Sequence, residues 1–174
     1  SELVLDGVRL PADAVLPEVS GMRGPLSCLN EARFGISFGA VGAARACYEA
    51  ALAYSLERKQ FGKPIASFQL TQRKLVDMAV KVNRGTLVAV HLGRMKDAGT
   101  LATPQVSFAK MDNVRMALEV AREARSVLGA NGITTEYPVI RHMNNLESVY
   151  TYEGTNEIHT LILGQAITGI PAFG

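Results

Sequence analysis

The amino-acid sequence predicts an all-α fold, an up-and-down helical bundle. Two observations carry this. Apolar residues recur at three- and four-residue spacing through almost everything beyond residue 25, and the stretches with that period are cut by short breaks rich in Gly and Pro. Short breaks between long helices favour antiparallel neighbours, and no repeat or low-complexity tract competes with that architecture.

Residues 3–10, Leu-Val-Leu-Asp-Gly-Val-Arg-Leu, are strand-like, but the rest of the chain supplies no partner strands for them. Pro and Gly recur over 11–25, as in a linker, and a boundary near residue 20 separates 1–20 from a bundle over 21–174. A first helix is expected over 26–58, through Phe34, Phe38, Val41, Ala44, Tyr48 and Leu52. Gly35, Gly39, Ala40 and Gly42 on it allow close approach of a neighbour. After the Gly62-Lys-Pro break, a second helix spans 67–98 through Leu70, Leu75, Met78, Val82, Leu87, Val90 and Leu92, and stops before Gly99. Pro104 belongs to the first turn of a third helix that reaches residue 128. Gly-Ala-Asn-Gly at 129–132 breaks it. A short helix over 138–146 and a last one over 155–168 complete the bundle. The helices are apolar on more than one face, so a second surface is expected to be buried against another subunit.

At 174 residues the chain can bury a substantial core without a disulfide or metal. Its 18 basic and 16 acidic residues are interspersed, for a net charge of +2, so no basic stripe of the nucleic-acid-binding kind is present. Cys28 and Cys47 lie in apolar helical sequence with no ligand spacing and read as buried free thiols, which fits a reducing, intracellular compartment. No membrane span or signal peptide is indicated.

Chemistry concentrates in Tyr-Thr-Tyr-Glu-Gly-Thr-Asn-Glu-Ile-His at 150–159. Glu153 stands beside Gly154, which has no side chain to block an approaching ligand, and Thr155 can cap the helix that follows. A surface glutamate favoured by the helix dipole would fit the same pattern as an acid-base residue. Arg-Lys-Gln-Phe-Gly-Lys-Pro at 58–64 sets three cations and an aromatic ring at a helix end. Arg58 and Phe61 there could hold phosphate and a planar base, or the cations could simply complement the helix C-terminus. Ser126, Val127, Leu128, Gly129 and Ala130 form a helix end whose backbone amides could meet a pyrophosphate, or a plain helix stop. His91, His142 and His159 have no metal-ligand spacing, and neither a nucleophile elbow nor a P-loop occurs.

The motif around Glu153, continued by Leu-Ile-Leu-Gly-Gln-Ala-Ile-Thr-Gly-Ile-Pro-Ala-Phe at 161–173, closely resembles the C-terminal segment of flavin-dependent acyl-CoA dehydrogenases, and among them the glutaryl type. The resemblance covers nearly the whole chain, with its motifs in the family's order. It implies that residues 1–20 hold a remnant strand of the family's middle β-domain and that Glu153 is the α-proton base. It implies FAD contacts from Arg58, Phe61 and Gln69 across a subunit interface, from residues 126–130, from Thr155 and Glu157, and from Phe173. Leu26, Ser27, Cys28, Leu29, Asn30, Glu31, Ala32, Arg33 and Gly154 would line the acyl-CoA site. Ala130 departs from the family's usual second glycine. The resemblance further implies an electron-transfer flavoprotein partner, a homotetramer, and a bacterial cytoplasmic or mitochondrial-matrix location. Much of the family's flavin pocket lies in domains outside these 174 residues, so the isolated chain is expected to be colourless and inactive. Rival expectations are a non-decarboxylating short- or branched-chain acyl-CoA dehydrogenase and a non-catalytic oligomerisation module.

Overall fold

The computed structural model describes residues 2–172. Five α-helices dominate: α1 (Arg23–Glu57), α2 (Gln69–Asp97), α3 (Thr103–Leu128), α4 (Val139–Thr151) and α5 (Asn156–Thr168). A hairpin of two-residue strands, β1 (Lys59–Gln60) and β2 (Lys63–Pro64), lies between α1 and α2, with Lys59 opposite Pro64 and Gln60 opposite Lys63.

Helix α3 is the axis of the bundle and touches each of the other four helices. That explains why its buried positions, from Val106 through Ala109, Val114, Ala117, Val120, Ala121 and Ala124 to Leu128, extend well beyond one narrow stripe. Its closest partner is α1, whose inner face is built from small side chains. Ala44, Cys47 and Ala51 are each 0% exposed, so the two backbones approach closely and a larger residue there would overpack by about 1–3 kcal/mol. Buried Asn113 links three helices. Its Nδ2 donates to the Ser37 carbonyl of α1 at 3.1 Å and the Gly85 carbonyl of α2 at 3.4 Å. These bonds satisfy the amide nitrogen that burial alone would penalise, while the buried Oδ1 has no partner.

Several expectations need correction. Residues 3–10 form no strand: their side chains are exposed and no partner pairs with them. Helix α1 begins at Arg23, inside the expected linker. Pro25 then occupies the first turn, where a missing N–H removes no intrahelical bond. Cys28 is exposed and only Cys47 is buried, because Cys28 lies on the first turns of α1, before α1 packs against its neighbours. Helix α4 runs one turn further than expected, to Thr151. The β1–β2 hairpin interrupts the all-helical pattern. Phe61 (φ +52°) and Gly62 (φ +79°) turn it, both left-handed as a two-residue primed turn requires, and the Ile65 N–H closes on the Arg58 carbonyl at 2.8 Å. Helix α2 exposes Leu70, Val76, Val80, Leu87 and Val90, an apolar face that this chain leaves uncovered.

Candidate active site

Helices α4 and α5 are joined by a turn of four residues, 152–155, that carries Glu153. Helix α4 ends as the Tyr152 N–H bonds the Ser148 carbonyl at 2.9 Å, and α5 begins where Thr155 Oγ1 accepts the Ile158 N–H at 3.4 Å. Between them Glu153 (φ +56°) and Gly154 (φ +91°) are both left-handed. Glycine takes that conformation freely, whereas glutamate does so at a cost of about 1 kcal/mol or more, so the surroundings must enforce it.

They do so by holding three successive carbonyl oxygens. Lys110 Nζ donates to the Tyr152 carbonyl at 3.0 Å and to the Gly154 carbonyl at 2.8 Å, and Arg33 Nε donates to the Glu153 carbonyl between them at 2.8 Å. Both cations come from the bundle interior: Lys110 from the N-terminal third of α3, with 1% of its surface exposed, and buried Arg33 from α1. Charged donors make the stronger hydrogen bonds, so the loop is fixed from beneath rather than by its own sequence. A further tie runs from Arg115 Nε on α3 to Asn156 Oδ1 at 2.9 Å.

The Glu153 carboxylate stays uncommitted. Its Oε2 is buried and has no hydrogen-bond partner, because the nearby cations are spent on backbone oxygens. His159, 0% exposed on α5, lies beneath Gly154. Burial first, then Lys110 and Arg33, push its imidazole down to about 4, so it is neutral over the physiological range. Burial and the neighbouring Arg33 lower the Lys110 ammonium to about 8, against the opposing attraction of Glu153. The cluster therefore presents one carboxylate with a free buried oxygen, held over two cations and a neutral ring. Such an oxygen can accept a proton from a bound molecule.

The other residues singled out from sequence fall into three places. Leu26, Ser27, Cys28, Asn30 and Glu31 line a cavity of about 750 Å³ with Arg23 and Thr103. Leu26, Asn30 and Arg33 recur at helical spacing, so one face of α1 runs from this cavity to the Glu153 turn. Leu29 is not among the lining residues, and Ala32 instead shares a groove with Tyr152. Arg58, Val127, Leu128, Gly129 and Ala130 line a cleft of about 360 Å³ with Gln60 and Asn131. Leu128 itself is a core side chain, so only its backbone can meet a ligand there. Ser126 bonds Lys74 at 2.7 Å instead of facing that cleft, and Gln69 lines a separate hollow with Lys63 and Phe68. Phe61, 93% exposed at the hairpin tip, touches the Phe68 ring edge-on. Glu157 is exposed at the start of α5, its carboxyl held below the usual range by its own backbone amide and by the Thr155 hydroxyl. Phe173 lies outside the described residues.

Sequence reasoning missed Lys110 and set His159 aside. Lys110 and Asn113 interrupt the apolar stripe of α3 between Val106 and Ala117, and a lone cation in such a stripe was the available signal.

A helical bundle that presents one free carboxylate at an interhelical turn defines a class of protein here. Residues 20–168 match the profile of the acyl-CoA dehydrogenase C-terminal domain, and the chain belongs to the acyl-CoA dehydrogenase family. More particularly, it is similar to glutaryl-CoA dehydrogenases. One from Mycobacterium smegmatis is 65% identical, with a TM-score of 0.95 over 98% of this chain and 44% of that one. A second M. smegmatis structure, of a glutaryl-CoA dehydrogenase in complex with FADH2, is 56% identical with the same TM-score and coverage. Glutaryl-CoA dehydrogenase of Desulfococcus multivorans is 37% identical over 171 residues, 97% of this chain and 44% of its own length. The chain thus spans less than half the length of these relatives.

Proposed function

We propose that this chain is the base-bearing C-terminal domain of an FAD-dependent acyl-CoA dehydrogenase acting on glutaryl-CoA, with Glu153 removing the α-proton. The observation that carries this reading is the buried, unpartnered Glu153 Oε2 on a turn whose three carbonyls are pinned by Lys110 and Arg33. An α-proton beside a thioester is weakly acidic, so its removal needs a fixed and desolvated base, and fixing the backbone fixes where the carboxylate starts. Gly154 next to the base has no side chain, and His159 and Arg33 pack against the position a Cβ would take. The α1 cavity around Leu26 and Asn30 offers space for the acyl-CoA along the face that ends at Arg33.

The residues fit FAD as its partial holders. Arg58 stands across the cleft from Gly129 and Ala130, and a Cβ on Gly129 would meet nothing within 4 Å, so a phosphate can come close to that backbone. Exposed Phe61 offers its ring to a planar base. When bound, FAD supplies the acceptor for the hydride that leaves the β-carbon. No wall for a flavin ring is evident among the described residues, so activity is assigned to the longer protein, and the isolated chain is expected to be colourless. For a glutaryl substrate the dehydrogenated acid then loses carbon dioxide, leaving a four-carbon enoyl-CoA. An electron-transfer flavoprotein as electron acceptor, a homotetramer and an intracellular location complete the proposal. The uncovered face of α2 supports self-association, and no helix among the described residues is long and apolar enough to cross a membrane.

Glu153→Gln in the full-length enzyme tests the assignment. Flavin bleaching by substrate should slow by about a hundredfold or more, the scale of a positioned general base, with FAD retained. Bleaching at the wild-type rate refutes the base. Absence of carbon dioxide release from glutaryl-CoA by the wild-type enzyme would instead favour a non-decarboxylating short- or branched-chain acyl-CoA dehydrogenase.

A further inference from the structure

We propose that Lys110 is a positioning residue for the base: by donating to the carbonyls on both sides of Glu153 it fixes the left-handed turn that aims the carboxylate. The inference rests on Glu153 being the base.

Geometry supports the role. The ammonium bridges Tyr152 and Gly154, residues i−1 and i+1 to the base, and Arg33 takes the carbonyl between them. Released from these bonds, a non-glycine residue at φ +56° would relax toward the right-handed or extended region and carry its side chain elsewhere. Lys110 is nearly fully buried in α3, so its position is set by the core and not by the loop it holds.

The test uses the full-length, FAD-loaded enzyme, in which Lys110→Met removes the bonds to the turn and Lys110→Gln keeps N–H donors. Lys110→Met should slow substrate-driven flavin bleaching by about tenfold or more, the effect of a misplaced reacting group. The Kd for a non-reacting thioether analogue of the acyl-CoA should change by no more than about twofold, since ground-state binding does not need the base. Amide deuterium exchange in peptides covering residues 150–158 should speed up. Lys110→Gln should restore slow exchange and part of the rate. A folded Lys110→Met with wild-type rate and exchange overturns the positioning role. If Lys110→Met does not fold, Lys110→Gln decides: slow exchange over 150–158 with part of the rate kept supports the role, and a lost rate with exchange unchanged overturns it. Glu153→Gln run alongside separates the two levels: if it is inactive and the Lys110 variants behave as wild type, only this inference fails, whereas an active Glu153→Gln removes the base assignment and this inference with it.

Discussion

Gly154 and His159 meet across the α4–α5 turn so closely that a Cβ added at Gly154 would lie 3.0 Å from the imidazole Nε2. The same Cβ would stand 3.4 Å from an Arg33 guanidinium nitrogen, and φ at Gly154 is +91°. Contact and conformation both exclude a side chain. Gly154→Ala should destabilise the fold by about 1–3 kcal/mol, seen as a lowered Tm. Bleaching by substrate should be impaired even at temperatures where the variant is fully folded, since relief of the clash moves Glu153.

His159 makes stability depend on acid. Its folded-state value of about 4 lies below the ordinary 6.5, so between those limits the unfolded chain binds more protons than the folded one. The contribution is complete above about pH 6.5 and is lost as the pH falls toward 4, for a total on the order of 3 kcal/mol. Urea unfolding at pH 7, 5 and 4 should show this loss, and His159→Gln should flatten it. Lys110 acts in the same sense at the alkaline end, where stability should rise as the pH climbs from about 8 toward 10.5.

Phe61 contributes almost nothing to its own fold, being 93% exposed with only Phe68 beside it. Phe61→Ala should therefore change unfolding free energy by less than about 0.5 kcal/mol. If its ring stacks on the cofactor, FAD retention by the full-length enzyme should fall several-fold, measured by flavin absorbance after gel filtration.

Gly85 is where α2 approaches α3. A Cβ there would fall 2.5 Å from Met116 Cε, 3.1 Å from Asn113 Oδ1 and 3.3 Å from Val41 Cγ2. The methionine can yield, but Asn113 is anchored by its bonds to Ser37 and Gly85. Gly85→Ala should cost about 1–2 kcal/mol in chemical denaturation, in spite of alanine's better helix propensity.

The helices were legible because their apolar period is long and their ends carry glycine or proline, as at Gly99, Pro104 and Gly129. The strand expected over 3–10 failed because alternation states only what a segment could pair with, and no partner is present. The Phe61–Gly62 hairpin was hidden because an aromatic residue at a left-handed position breaks the usual Asn-Gly or Asp-Gly signature. At the site, Glu153, Gly154 and Thr155 could be read from one motif since they are contiguous. Lys110 and Arg33 reach the same turn from 42 or more residues away, Lys110 being 42 residues from Tyr152 and Arg33 being 120 from Glu153. Only the packing of α1 and α3 makes them neighbours.

With Glu153 as the proposed base, its left-handed backbone sets the interests of activity and of folding against each other. Glycine at this position would relieve the local strain, and asparagine would tolerate it better than glutamate. A library screened only for thermostability should therefore enrich the very substitutions that delete the carboxylate. Selection for function is what must hold a glutamate there, and wherever that selection lapses, residue 153 is among the first places the chain should be free to change.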